Sequence, residues 1–395
     1  MSLDIALSGI HAINTQLDAI SNNIANSGTY GFKSSRANFS SLYAGSEANG
    51  AALSSMSQSL SLGGSTVTTG GKMDVSIAGA GYFVSHDSAG TTTYSRVGIF
   101  SVDKGGNVID SEGRKAQGYA AVAGSTALGA MGDLKVPTGQ IAAAATGSLS
   151  YVGNLSSDWT VPAVTPFDAT DAQSFSGSVV SVLHDSLGSE HTMTQYFVKT
   201  GTNAVDVHYA MDGVATGTTT SLAFDSAGKL TSPTLAVTQA LGTPTGAAAM
   251  SVAVDYTGTT QYAGETTTTT NTADGYASGT LVGVQIGADG QVTASYSNDK
   301  SMSIGTLALA TFPDENGLEA TSGTSWTATA KSGTALYFTP GSGMAGSLTA
   351  GSLEQSNVDI TSELVNLMGA QRNYQANSKV ISTESTMLQA LMQAV

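Results

Sequence analysis

Five histidines are the side chains best placed to move protons or hold a metal near neutral pH: His11, His86, His184, His191 and His208. No pair has the His-x-x-x-His spacing that would put two imidazoles on one helix face toward one ion. His184, Asp185 and Ser186 are consecutive, but nucleophile, base and orienting acid must converge in space, not in sequence. Here they run into a predicted hairpin turn, Asp185-Ser186-Leu187-Gly188. Gly79-Ala80-Gly81 has Val84 where a dinucleotide loop needs its third glycine, and no helix follows. Neither a Gly-x-Ser-x-Gly elbow nor a Gly-Lys-Ser/Thr phosphate loop occurs. Asn38-Phe39-Ser40 and Asn154-Leu155-Ser156 fit the glycosylation pattern, a short pattern that recurs by chance. With no cysteine, disulfides, thiol catalysis and thiolate metal sites are excluded. The expectation is a protein without catalytic site, cofactor or metal.

Composition points the same way. Of 395 residues only 11% are charged, against about 25% in ordinary soluble domains. Gly, Ala, Ser and Thr take their place, while 41% hydrophobic residues suffice for a packed core. A chain so poor in charge suits a subunit surrounded by copies of itself. The net charge of −15 and the absence of a basic cluster argue against nucleic acid and against an anionic membrane surface. The first basic side chain is Lys33, so the charged start of a secretory signal peptide is missing. Uncharged stretches such as 231–254 are broken by Gly, Pro and Thr, so no membrane insertion is expected.

Both ends read as helices. Leu3, Leu7, Ile10, Leu17 and Ile24, with Asn14 and Ser21 in the remaining heptad slots, form an apolar stripe that Ala6, Ile13 and Ile20 widen. Ser2 is the expected N-cap, and Asn26 and Gly28 the stop. At the far end Ile360, Leu364, Leu367, Gln371, Tyr374, Ser378, Ile381, Ser385, Leu388, Met392 and Val395 alternate steps of four and three without a slip. Such a run is a heptad seam, with Asp359 or Thr361 as cap. Gly/Ser-rich stretches at 44–71 and 341–352 would join these helices to the middle as arms that pair with each other. The expected assembly seam is therefore Leu3, Leu7, Ile10, Leu17, Ile24, Leu364, Leu367, Tyr374, Ile381 and Leu388.

The middle reads as all β. Asp103-Lys104-Gly105-Gly106-Asn107, Asp225-Ser226-Ala227-Gly228 and Ala288-Asp289-Gly290 each sit between apolar flanks as hairpin turns. The tract Thr266–Thr270 is expected as an exposed loop.

Longer blocks carry a family resemblance. Residues 8–43 include Ser21-Asn22-Asn23-Ile24-Ala25-Asn26-Ser27-Gly28-Thr29-Tyr30-Gly31-Phe32-Lys33. Asp74 to Val84 and Tyr94 to Asp103 follow, and near the end come Gly351 to Asp359, Glu363-Leu364-Val365, Ala370 to Asn377 and Lys379-Val380-Ile381. In order and position these resemble the bacterial flagellar rod and hook axial protein family, over roughly 1–115 and 350–395. Most members have Asn where Gly28 stands, and both tolerate the left-handed turn that ends a helix. Acidic residues are frequent in the family near Ser385, so a small charge contribution is missing there. Rod members lack a large insert. Here Ser178 to Lys199 resembles the outer domain of hook members, and 275–311 the return into the inner β domain.

The resemblance implies a mainly β fold with α-helical terminal arms. Its parts would be an N-terminal helix (1–26), a linker (27–72), an inner β domain (73–145 and 284–350), an inserted outer β domain (146–283), and a C-terminal linker and helix (351–395). It also implies a structural subunit of the flagellar hook that polymerises with itself into a helical tube, a flexible universal joint between rod and filament. Implied partners are flagellar rod proteins, the hook cap, the hook–filament junction protein and the flagellar type III export apparatus. Export without a cleaved signal peptide and an extracellular place on the flagellum would follow. The rivals are a distal rod protein, which is a rigid shaft, and a secreted Thr-rich binding module.

Overall fold

The computed structural model describes residues 2–44, 47–122 and 127–394. They form two compact units. The first runs to Thr138 and returns over Gly283–Ser295 and from Ser301 onward; the second is Gly139–Val282 with Tyr296–Lys300.

The first unit begins with helix α1 (Ser2–Ala25) and ends with helix α2 (Ile360–Ala394). Asp359 caps α2, its Oδ1 accepting from Thr361 N at 2.9 Å and its Oδ2 from Ser362 Oγ at 2.8 Å. Those bonds, the Ser362 hydroxyl first, hold the Asp359 carboxyl below its usual range. α1 stops where Asn26 turns back on Asn22, through its backbone N–H and its side-chain amide. The left-handed glycine of the following turn is Gly31 (φ 68°), and Gly28 is not among the residues at positive φ. Gly31 is needed because a Cβ there would stand 2.9 Å from Val97 Cγ2.

The stretch expected as a linker carries a hairpin instead. Strand β1 (Ser35–Ala44) pairs antiparallel with β2 (Glu47–Gln58), with two register shifts. It packs along α1, where Ser8 Oγ accepts from Ala51 N and Asn23 Oδ1 from Ser35 N. No described side chain of either strand is fully buried. That explains its invisibility: without a buried face a strand shows no apolar–polar alternation. The body of the unit is built of antiparallel pairs around Tyr82, Val84, Tyr94, Phe312 and Trp326. Its rings meet edge-on, Tyr94 and Phe312 with centroids 4.8 Å apart.

The second unit packs two sheets on one core. One is an antiparallel meander of Gly177–His184, Glu190–Gly201, Ala204–Met211, Val214–Phe224 and Leu230–Ser232. The other orders Val237–Gly242, Met250–Asp255, Ser148–Asn154 and Thr267–Ala273, its inner pair parallel. The threonine tract is therefore an edge strand, not a loop. β-branched residues favour extended backbone, and its exposed side chains hid the assignment. Between the sheets lie Tyr151, Phe197, Val205, Val207 and Val252, all fully buried. A polar chain crosses this core: Tyr209 and Tyr256 hydroxyls are 2.8 Å apart, and Tyr256 donates to Gln195 Oε1.

One turn recurs in both units. Asp87, Asp103, Asp110, Asp185 and Asp225 each open a loop whose fourth residue is a glycine at positive φ. The Asp N–H bonds the carbonyl four residues on, and the glycine N–H returns to the Asp carbonyl. The carboxylate accepts from the backbone within the loop.

Candidate assembly interface

α1 and α2 pair antiparallel. Asn23 Nδ2 donates to Glu363 Oε1 at 2.9 Å, and a Cβ on Gly9 would stand 3.1 Å from Asn377 Nδ2. One register joins both contacts, since each step forward on α2 is one step back on α1. It sets Ser2 level with about Glu384, so the last turns of α2 run past the start of α1. The apolar contact consists of Ile13, Ile20 and Ala370, buried, with Leu17, Ile24 and Leu367 packed on them.

The expected seam residues divide accordingly. Leu17, Ile24 and Leu367 meet within one subunit. Ile10 and Ile381 are half-buried, while Leu7, Leu364, Tyr374 and Leu388 are 48%, 46%, 40% and 51% exposed. For Leu3 only the backbone lies within the described residues. On α1 the stripe turned inward is Ala6, Ile10, Ile13, Leu17, Ile20 and Ile24, again in steps of four and three. The residues read as widening the stripe are thus its centre, and Asn14 and Ser21 face outward. Both stripes obey the same period; which one pairs depends on where α2 lies. α2 keeps a second set of apolar side chains away from α1, among them Val365, Met368, Met387, Leu391 and Met392, each at least half exposed.

A charged cluster closes the base of the helices. Lys33 Nζ donates to Glu354 Oε1 at 2.6 Å and to Leu62 O at 2.8 Å, and Arg96 reaches Glu354 Oε2 at 3.4 Å. All three side chains are at most 3% exposed. Burial holds the Lys33 ammonium below its usual range although Glu354 pulls the other way. Around it Gly31 N donates to Glu354 O, and Asn357 Nδ2 donates to Ser59 O and Leu62 O. These bonds tie the segment after α1 to the segment before α2. No period or motif chemistry announces the cluster. Its one trace is that three charges of a charge-poor chain fall inside the family-like blocks.

Two of the residues weighed for catalysis, Asp185 and Ser186, are otherwise occupied. Ser186 Oγ accepts from Ala248 N, and Asp185 holds its own turn and faces His191. Among the described residues no group of three His, Asp or Glu side chains could hold a metal ion, and no helix is long and apolar enough to cross a membrane.

Comparison with known proteins agrees along the whole chain. Residues 3–33 match the flagella basal body rod protein family, and 76–155 the flagellar hook protein FlgE/F/G D1 domain. Residues 154–276 match the flagellar basal body protein FlaE D2 domain, and 349–394 the flagellar basal body rod FlgEFG protein C-terminal region. The flagellar hook protein FlgE of Salmonella typhimurium is 39% identical over 403 residues, covering 99% of each chain. That of Escherichia coli is 38% identical over 401 residues, again 99% of each. That of Treponema pallidum is 32% identical over 460 residues, 99% of this chain and 98% of its own. The crystal structure of Helicobacter pylori flagellar hook protein FlgE2 shares the fold at a TM-score of 0.52 and 11% identity, over 71% of this chain and 98% of that one. With full-length relatives that are hook proteins and not rod proteins, this chain belongs to the flagellar hook protein FlgE family.

Proposed function

We propose that the chain polymerises with itself into the helical tube of the hook and works there as a flexible universal joint between rod and filament. The observation that carries this is the set of apolar side chains between Ile360 and Met392 of α2 that one subunit leaves exposed after α1 is paired. About 25 cal/mol is gained per Å2 of such surface withdrawn from water, and further copies of the same helices would supply the cover. Leu3, Leu7, Ile10, Leu17, Ile24, Leu364, Leu367, Tyr374, Ile381 and Leu388 are the seam we assign to this layer. Leu17, Ile24 and Leu367 hold the two helices of a subunit together, and the exposed members join neighbours.

Cohesion then lies in the helices, where side chains interlock. Compliance lies in the β units, whose small, weakly charged side chains allow wet contacts to exchange. The subunit would meet flagellar rod proteins at one end of the tube and the hook–filament junction protein at the other. The hook cap would sit on the growing tip, and the flagellar type III export apparatus would deliver subunits outside the cell without a cleaved signal peptide. The role is structural and needs no cofactor. Electron microscopy of the purified, concentrated protein tests it: tubes of uniform width are expected, and a protein that stays monomeric under all polymerising conditions refutes it.

A further inference from the structure

At one end of the meander in the second unit, three titratable side chains converge from different stretches of chain. His191 stands at the start of the strand Glu190–Gly201. Its Nδ1 lies 2.7 Å from Asp212 Oδ2, and its Nε2 lies 3.4 Å from Asp185 Oδ2. Asp185 opens the turn that leads into this strand. Asp212 opens the turn between Ala204–Met211 and Val214–Phe224, with Asp212 at φ 48° and Gly213 at φ 82°.

Each carboxylate divides its two oxygens. Asp185 Oδ1 accepts from the N–H groups of Leu187 and Ser189, which shapes its own turn. Asp212 Oδ1 accepts from Thr192 N at 2.9 Å. In both cases Oδ2 is the oxygen left for the imidazole. A neutral imidazole has one N–H and one lone pair, so it can donate to only one of them; the imidazolium donates to both. We propose that His191 is a proton-operated clip, which as imidazolium ties the 185–188 turn to the 212–213 turn and on losing its proton lets one of them go.

The surroundings favour such a device. The same three residues line an open cleft of about 750 Å3, as do residues 240–245 at the end of the strand Val237–Gly242. That stretch, Ala240-Leu241-Gly242-Thr243-Pro244-Thr245, has no titratable side chain, and neither do Met211 and 214–216, which also line the cleft. The other titratable side chains at this end are His184 and Glu190, with His184 Nε2 3.8 Å from Glu190 Oε1. The proton on His191 therefore answers to Asp185 and Asp212.

The electrostatics have the matching sign. The bond to Asp212 raises the His191 pKa, burial opposes it, and Asp185 adds to the rise. Asp212 is held below its usual range by Thr192 N–H first and His191 second. Burial pushes the Asp185 carboxyl up, but the Ser189 and Leu187 N–H groups and His191 together hold it low. A raised imidazole stabilises the fold fully below its unfolded value of about 6.5 and loses that contribution as pH climbs through the folded value. The lowered carboxylates stabilise it above their unfolded value of about 4, and lose it as pH falls through the folded ones. The clip is closed between those limits and opens on the alkaline side.

The full chain, kept monomeric and labelled at histidine Cε1, reports this by NMR, since only five histidines occur. His191 should titrate above His208, which burial holds low. Its midpoint should drop in Asp212→Asn, a variant that still offers an oxygen to Thr192 N. Amide exchange in the two turns, corrected for its intrinsic pH dependence, should lose protection severalfold as pH passes the His191 midpoint. In His191→Gln that loss should vanish. An Asp212→Asn midpoint equal to the parent's, or turn protection that ignores the midpoint, overturns the clip. Neither outcome depends on whether the chain forms tubes.

Discussion

The second unit and the terminal helices solve the burial problem in opposite ways. The second unit seals Leu183, Met193, Phe197, Val205 and Val207 completely between its own sheets. α2 leaves Val380, Leu388 and Met392 at 46%, 51% and 75% exposure. One closes its core within itself; the other leaves apolar side chains that the subunit does not cover. The difference teaches where folding ends and assembly begins in this chain. Under the proposed function, the apolar side chains that no part of the subunit covers wait for a neighbour, because most helical stability in proteins comes from packing an apolar face.

The sharpest way to break that contrast is to charge the expected seam, at the exposed Leu364 or the half-buried Ile381. Leu364→Asp or Ile381→Asp should abolish polymerisation and leave the melting of the β units unchanged. Burying an unpaired carboxylate in a packed contact costs several kcal/mol, on the order of the whole gain per neighbour. Microscopy beside calorimetry reads both halves, and normal tubes from either variant would show that this face stays in solvent.

The next effect tests the base of the helices. Glu354→Gln leaves the Lys33 and Arg96 cations buried without their counter-charge, which should cost about 3–5 kcal/mol. The loss should lower the first unit's thermal transition while the second unit's stays put. A common shift of both transitions would mean that the units do not melt separately.

Amide exchange on the monomer draws the border residue by residue. Fast exchange is expected along α1 and along α2 beyond Ala370, and slow exchange through the second unit. The N–H of Gly31, bonded to Glu354 O, should mark the first protected site inward from α1. Strong protection along all of α2 would mean that the helix needs no neighbour.

The smallest expected effect concerns the recurrent turn. Gly113 sits at φ 79°, and a Cβ added there would meet nothing within 4 Å, so Gly113→Ala should cost only the left-handed strain, about 1–2 kcal/mol. Gly106 has the same role at φ 82°, but a Cβ there would come within 2.2 Å of Val136 O. Gly106→Ala should therefore be the more destabilising in chemical denaturation. Equal losses would show that local strain, not crowding, sets the cost.

Legibility followed the strength of local signals. The α2 helix and the Asp-x-x-Gly turns could be read because period and turn chemistry repeat over neighbouring residues. The β1–β2 hairpin could not, since neither strand has a fully buried described side chain. The Thr267–Ala273 strand was obscured for a related reason, its exposed threonines resembling a loop. The pairing face of α1 was ambiguous by one position, because Leu7 and Ile13 both obey the heptad.

By itself the sequence determined the class of the protein. Two terminal helices and a β-rich middle are properties of composition, period and order, while the blocks at both ends and the insert carry the family resemblance. Tertiary structure alone decided which side chains meet. Lys33 and Glu354 are 321 positions apart, and His191 reaches Asp212 only because two strands of the meander lie side by side. Local propensity acts over a few residues, whereas such pairs exist only once the chain has closed on itself, so no local pattern could encode them.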